Sequence, residues 1–233
     1  MGCSESKAAE KATAPRAAPS AAPRPAPRQA TRTSTDFLTM LAARRSVYGV
    51  GKKLPRRSAE VTHTIQAAIR ACPSSFNVQS SRAVILYGAE HARVWDIVKA
   101  ALKRVTSAEQ YAQSAAKVDG CFAAGAGTVL FYEDRAAVKG QQDAYPAYAA
   151  NFPVWSQHSS AMAQLAVWTA LAQDGIGATL QHYNELIEAD LRAAFDVPAD
   201  WQLVAQMPFG SIETPAAAKT HIADAGRFIV RGE

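Results

Sequence analysis

The chain has 233 residues, of which 48% are hydrophobic, and a formal net charge of +5. This length and composition allow one or two domains with a substantial core. Because no uninterrupted apolar run reaches about 18 residues, no membrane-spanning segment is expected. Residues 1–34 carry six basic and two acidic side chains, a net of +4, so the rest of the chain is nearly neutral. A general nucleic-acid-binding surface is therefore not predicted.

Residues 1–34 are predicted to be a disordered tail, separate from a folded domain at 35–233. The tail is dominated by Ala, Pro and Arg, with five prolines between positions 15 and 27 that block any long helix. It has too few large apolar side chains to offset the entropy cost of becoming ordered.

The first six residues match the pattern for N-myristoylation, with Gly2 exposed once the initiator methionine is removed. Cys3 is placed to carry a second, palmitoyl chain, and two acyl chains anchor a protein stably where one alone does not. The sequence therefore predicts a cytoplasmic protein held at the cytoplasmic face of a membrane. Two other interpretations stay open: a chance match, and an organelle transit peptide, which Glu5 and Glu10 disfavour.

From residue 35 onward, apolar periodicity and capping residues predict a mixture of helices and strands. Helices are expected at about 35–43, 58–72, 94–104, 156–174 and from Asn184 to Phe195. Short β-rich runs predict strands at 82–87, 127–132, 201–207 and 227–230. Asn184 is predicted to cap the last helix. Because no βαβ repeat is present, the predicted class is α+β rather than a doubly wound parallel sheet.

Several common classes of site are not predicted. Cys3, Cys72 and Cys121 are widely spaced and form no CxxC or Cys/His ligand pattern, which favours a reducing compartment and predicts no metal site. The chain has neither a GxSxG elbow nor a Walker A loop. Gly175-Ile176-Gly177 lacks the third glycine and the preceding strand of a dinucleotide-binding fingerprint.

Residues 73–82, the polar loop, lie between a predicted helix and a predicted strand. They bring together four serine hydroxyls, the carboxamides of Asn77 and Gln79, and the guanidinium of Arg82. Such a loop offers hydrogen-bond donors and acceptors to a flat ligand with polar edges, or to a phosphorylated one.

Two further segments have ligand-binding chemistry. Arg44-Arg45-Ser46 follows the first predicted helix and can hold a phosphate through charge-assisted bonds, although an arginine pair at a helix end also occurs as a solvated surface. Residues 181–184, Gln-His-Tyr-Asn, are an unusual cluster of planar hydrogen-bonding side chains, although such residues also occur at helix starts and core edges.

Six segments, each weak alone, occur together in a characteristic order and spacing: 44–48, 73–82, 127–134, 152–157, 175–184 and 205–210. They resemble the FMN-dependent nitroreductase superfamily, in particular its fatty acid repression mutant (Frm-like) subgroup. The resemblance extends from about residue 36 to the C-terminus and leaves the tail outside. It implies a nitroreductase-like α+β fold, with a central, mainly antiparallel sheet flanked by helices. It also implies an intertwined homodimer with one FMN at each of two interface sites.

The resemblance also implies which residues hold the FMN. Arg44, Arg45 and Ser46 would hold the phosphate and ribityl. Asn77 and Gln79 would lie at the polar edge of the flavin, with Ser74 and Ser75 shaping the turn. Around the isoalloxazine would lie Gly177, Gln181 and His182, and a second pair of phosphate ligands would be Lys219 and Arg227. The chain departs from better-known relatives at Ser80-Ser81-Arg82, where Pro-Trp is frequent, and at Tyr48, where a basic residue is frequent.

The implied activity is an NAD(P)H-dependent, FMN-dependent oxidoreductase. NADH or NADPH would reduce the FMN, and a nitroaromatic, quinone or similar small-molecule acceptor would then take the hydride in a ping-pong sequence. Because the chemistry takes place on the cofactor, no side chain is predicted to be a general acid or base. The sequence does not choose between the two nicotinamide donors.

Two points stay open at this stage. Tyr145, Tyr148, Phe152 and Trp155 form either an aromatic lid over the flavin or an ordinary core or interface. The alternative function is a flavin-binding regulatory module linked to lipid signalling, with little turnover. A third possibility is another reaction on the same fold, such as dehalogenation or flavin breakdown.

Overall fold

The computed structural model of the protein describes residues 34–232. The predictions for the tail, including acylation at Gly2 and Cys3, lie outside the described residues and stay predictions. Within 34–232, no helix combines the length and the apolar character needed to cross a bilayer.

The described part of the chain folds into helices and strands in an irregular alternation. The helices are α1 Ser34–Ala43, α2 Ser58–Ala71, α3 Gly88–Val105, α4 Ala108–Cys121, α5 Arg135–Ala144, α6 Phe152–Gln173 and α7 Asn184–Phe195. The strands are β1 Gly49–Gly51, β2 Ser81–Tyr87, β3 Gly127–Asp134, β4 Gly177–Ala178 and β5 Trp201–Thr214. They form one sheet in the order β1-β5-β3-β2, with β4 also paired to β5, and every pairing between these strands is antiparallel. The predicted α+β class with a mainly antiparallel sheet is confirmed.

Helices cover both faces of this sheet, and β3 shows how the sequence arranges them. Its side chains alternate between faces, as in any strand. Leu130 and Tyr132 pack in a core with residues of α3, α4 and α7. Val129 and Phe131 pack in a second core with residues of α2 and α6. Because both faces are covered, residues 127–133 are all buried.

Some predicted elements differ from the observed ones. The predicted strand at 227–230 is wrong: these residues are exposed and pair with no described strand, because β-propensity alone supplies no partner for the backbone. Asn184 does not cap α7. It is the first helical residue, and its side chain instead binds Val204 and Gln206 of β5.

The sequence patterns did not predict α4, α5, β1 or β4. Helices α4 and α5 contain few large apolar residues, with one buried residue each, Val118 and Val138. Their start signals are nevertheless clear, since Ser107 forms a capping box with Gln110 and the Asp134 side chain accepts a hydrogen bond from the backbone of Ala137.

His91 on α3 belongs to a buried chain of hydrogen bonds. Trp95 Nε1 donates to Thr128 Oγ1 at 3.0 Å. The same hydroxyl oxygen lies 2.8 Å from His91 Nδ1, and His91 Nε2 lies 3.2 Å from the carbonyl of Ala123. A carbonyl can only accept, so Nε2 carries a proton. In the neutral imidazole Nδ1 accepts from the threonine hydroxyl, and burial of the ring disfavours the charged imidazolium.

The free energy of unfolding is therefore expected to fall as the pH drops below 6.5. Burial, the largest cause, and Lys52 lower the pKa of His91 from its ordinary 6.5, so the unfolded chain takes up the proton first and stability is lost towards the lower, folded-state pKa. His91→Gln, which can donate and accept at the same two sites, should flatten this dependence. Urea unfolding between about pH 5 and 7 measures it. An equal change of slope in His63→Gln, an exposed control on α2, would contradict the assignment.

Candidate functional site

Arg44-Arg45-Ser46 lies where α1 ends and the chain turns towards β1. Ser46 forms a parallel bridge with Ala178 of β4, and the amide of Val47 donates to the carbonyl of Ala178 at 2.9 Å. Val47 is buried while Ser46 is exposed, as expected for successive residues of an extended chain. The backbone thus fixes the Ser46 side chain at the surface, next to β4.

Arg44 has an unusual environment for a surface cation. Its guanidinium lies 4.3 Å from the centroid of the Trp168 ring on α6. Its Nε is buried and has no hydrogen-bond partner among the described residues. Burial, and then the like charge of Arg45, lower the pKa of Arg44. An anion bound here would both pair the orphaned donor and offset the repulsion between the two arginines.

The C-terminal segment, residues 215–232 after β5, begins near this site. Arg45 donates to the carbonyl of Ala217. Lys219 and Arg227, predicted to be further phosphate ligands, are exposed on this segment, and no described contact joins either of them to Arg44.

Residues 177–182 run beside Arg44-Arg45-Ser46. Gly177 is buried, and a Cβ there would lie 2.9 Å from side-chain atoms of Val47 and Ile212, so glycine allows these chains to approach. The backbone of Gln181 pairs with Gln206 of β5, and its side chain donates to Thr179 Oγ1. His182 is exposed at the wall of a cavity of about 460 Å³.

The polar loop is held in a strained conformation. Phe76, Asn77 and Gln79 have φ of 52°, 54° and 50°, the left-handed region that L residues other than Asn and Gly avoid. The Ser74 hydroxyl accepts from the backbone of Gln79 at 2.9 Å. Asn77 and Gln79 are exposed, while Ser74 and Ser75 are partly buried and shape the turn. Strained loops of this kind are concentrated at functional sites.

Phe76 of the polar loop lies within a group of rings that the sequence did not connect to it. We call Phe76, Tyr145, Tyr148, Phe152 and Trp155 the aromatic cluster. The ring of Phe76 lies 4.6 Å from that of Tyr145 and 5.4 Å from that of Phe152. Phe76, Tyr145 and Tyr148 are 49%, 43% and 48% exposed. The predicted aromatic region is therefore a half-open surface attached to the loop.

The predicted residues form two groups in this chain. Arg44-Arg45-Ser46 lies with residues 177–182, while the polar loop lies with the aromatic cluster. No hydrogen bond or ring contact in the described part of the chain joins one group to the other. Trp155, in the second group, and Trp168, which stacks on Arg44, are both on α6, about 20 Å apart along the helix. Sequence reasoning missed Trp168, because no local pattern indicates a ring that stacks on a distant arginine.

The chain is similar to proteins of known family and structure. The chain matches the Nitroreductase family over residues 41–211, which include both groups and end before Lys219. It is 37% identical to HBN1 and 32% identical to the nitroreductase FRM2, both of Saccharomyces cerevisiae, over 80% of this chain and 93% of each relative. The nitroreductase CinD from Lactococcus lactis, solved in complex with nicotinic acid, is 44% identical with a TM-score of 0.78. That similarity covers 84% of this chain and 100% of CinD.

Proposed function

The chain belongs to the nitroreductase family, and on that basis we propose that it is an FMN-dependent enzyme that uses NADH or NADPH to reduce nitroaromatics, quinones or similar acceptors. Membership of the nitroreductase family and the fold shared with CinD confirm the predicted resemblance. They support an oxidoreductase function for the chain. Members of this family generally bind FMN. The cofactor, the donor and the residue roles given below are our proposal for this chain.

The observation that carries the proposal is the environment of Arg44. A buried guanidinium nitrogen that has no hydrogen-bond partner within residues 34–232, stacked on Trp168 and beside a second arginine, is costly unless an anion pairs with it. The phosphate of FMN is such an anion, and Ser46 adds an exposed hydroxyl next to it. The residues present therefore fit the phosphate end of the cofactor.

The remaining roles follow from exposure and chemistry. Bound FMN supplies the capacity to accept and donate hydride. The exposed carboxamides of Asn77 and Gln79 can each donate and accept, which suits the polar edge of a flavin ring. His182 borders the cavity of about 460 Å³, and Gln181 precedes it in the chain. Both would contact the ring system. Lys219 and Arg227 would add positive charge at the phosphate if the C-terminal segment moved close enough to contact it.

A homodimer would bring the two groups of residues together. Val154, Met162 and Leu165 of α6 are 55%, 41% and 43% exposed, so part of the apolar surface of this long helix is open. Most soluble oligomers are two-fold symmetric, and α6 helices related by a two-fold axis across them would run antiparallel. Met162 lies midway between Trp155 and Trp168. Pairing at Met162 would therefore place the polar loop of one subunit beside Arg44 of its partner.

The acceptor is inferred from ring chemistry. CinD has been solved in complex with 4-nitrophenol as well as with nicotinic acid. In this chain, the exposed rings of Phe76, Tyr145 and Tyr148 offer flat apolar surface with hydroxyl groups at its edge. Such a surface suits a planar aromatic acceptor that carries polar substituents.

The test is a visible absorption spectrum of the full-length protein reconstituted with FMN, followed by anaerobic addition of NADH or NADPH. A bound-flavin spectrum that bleaches on addition, and recovers with 4-nitrophenol or a quinone, is expected. Protein that stays colourless after reconstitution would overturn the proposal. Bound flavin that is scarcely reduced would support the regulatory alternative instead.

A further inference from the structure

The polar loop is fastened to the end of β3 through residues where the chain departs from better-known nitroreductases. Glu133 is 1% exposed, and its two carboxylate oxygens accept Ser80 at 2.5 Å and Ser81 at 2.6 Å. Burial raises the pKa of Glu133, while these two hydrogen bonds act in the opposite direction. A buried carboxyl is costly unless its acceptors are satisfied, and here both are.

A second attachment reaches the strained part of the loop. Arg82 Nη2 donates to Asp134 at 2.8 Å, and Arg82 Nη1 donates to the carbonyl of Gln79 at 2.6 Å. One guanidinium therefore links a carboxylate at the end of β3 to the backbone of a residue in the left-handed region. The planar fork of arginine allows both bonds at once.

Asp134 also connects the loop to the aromatic cluster. Its other carboxylate oxygen caps α5 by accepting from the amide of Ala137 at 3.0 Å. Helix α5 leads directly to Tyr145, whose ring packs on Phe76. Phe76 is thus held by its contact with Tyr145, and Gln79 by its hydrogen bond to Arg82. Left-handed backbone in such residues persists only where the surrounding structure holds it.

We propose that Arg82, bound to Asp134, and Glu133, bound to Ser80 and Ser81, are positioning residues that hold the polar loop in its flavin-binding conformation. This inference rests on the proposed function. In this chain Ser80, Ser81 and Arg82 therefore fix the loop. The exposed carboxamides of Asn77 and Gln79 are already held in place before a ligand binds. Pre-ordering of this kind increases affinity because less entropy is lost on association.

The test compares Arg82→Met with a matched control, Arg192→Met. Arg192 is also partly buried and also binds one carboxylate, Glu188, and one backbone carbonyl, that of Trp201, but it lies outside the loop. Amide hydrogen exchange of the full-length protein, with and without FMN, is measured for residues 74–81. Arg82→Met is expected to speed exchange there by about tenfold, and Arg192→Met to leave it unchanged.

The affinity for FMN is measured by fluorescence titration on the same proteins. Arg82→Met is expected to weaken it by about tenfold, and the control to leave it unaltered. Wild-type protein that binds no FMN would overturn the proposed function and the positioning role together. Wild-type protein that binds FMN, with either exchange or affinity unchanged in Arg82→Met, would overturn the positioning role alone.

Glu133 is tested by rescue. Glu133→Gln keeps the shape and can accept from one serine and donate to the other, so it should retain loop protection and FMN affinity. Glu133→Leu should lose both. If that variant does not fold, Ser81→Ala removes one of the two bonds while leaving the core intact. Loss of affinity in Glu133→Gln as large as in Glu133→Leu or Ser81→Ala would contradict the role.

Discussion

Replacing Arg44 with Met is expected to weaken FMN binding about a hundredfold and to leave riboflavin binding unchanged. Hydrogen bonds to a charged group contribute roughly 1.5–3 kcal/mol each, and the buried Nε of Arg44 has no partner in the part of the chain that the structure describes. Riboflavin lacks the phosphate, so a residue that acts through the phosphate changes the affinity for FMN alone. Titration of both flavins against both proteins measures the difference.

Two controls separate a phosphate role of Arg44 from a structural one. Arg44→Lys keeps the charge but loses the planar fork, so an intermediate affinity for FMN is expected. Without flavin, Arg44→Met should be at least as resistant to heat as the wild type. It removes an unpaired buried donor, which offsets the lost contact with Trp168. Equal losses for both flavins, or a large fall in melting temperature, would contradict the phosphate role.

The same variant tests whether each site is shared between two subunits. Arg44→Met and Asn77→Ala homodimers would each have a defect in both sites. A mixed dimer joins an intact Arg44 to an intact Asn77 in one of its two sites. After random exchange of subunits, about a quarter of all sites should regain tight FMN binding, as a two-fold dimer requires. No recovery in confirmed mixed dimers would place each site within a single chain.

Gly210→Ala is expected to destabilise the protein by roughly 3 kcal/mol or more. A Cβ at this position would lie 1.9 Å from the backbone oxygen of Gly51 and 3.0 Å from the backbone nitrogen of Ala126. Gly210 lies in β5 where this strand pairs with Gly177 of β4, and β1 approaches on the other side. The backbone of Gly51 cannot rotate out of the way as a flexible side chain can. Strand β1 must therefore move away from β5.

The displacement should also reach the candidate site. Because β1 begins three residues after Ser46, moving β1 is expected to separate Ser46 from Ala178 and to weaken FMN binding. Gly140→Ala is the matched control. Apart from the nearby backbone of helix α5 itself, no atom of the described residues lies within 4 Å of a Cβ at Gly140, so alanine there should stabilise by about 0.5–1 kcal/mol. Urea unfolding compares the two, and a Gly210→Ala protein as stable as the wild type would contradict the close approach of these backbones.

Local patterns in the sequence determined the fold class and much of the element list. Apolar side chains at the 3.6-residue helical period located α2, and short runs of β-favouring residues located β2 and β3. Helices α4 and α5 were missed because they contain few large apolar residues, and each buries only one, Val118 and Val138. The run at 227–230 had the composition of a strand but no partner in the described chain.

The chemistry of the site was likewise visible in residue types, although its arrangement was not. Arginines, serines and carboxamides at 44–46 and 73–82 already indicated a phosphorylated ligand with polar edges, because side-chain donors and acceptors are properties of each residue. Only the tertiary structure decided that Arg44 stacks on Trp168, that Glu133 is buried against Ser80 and Ser81, and that the two groups lie apart along α6. Those facts depend on desolvation and on contacts between distant parts of the chain, which a local pattern does not contain.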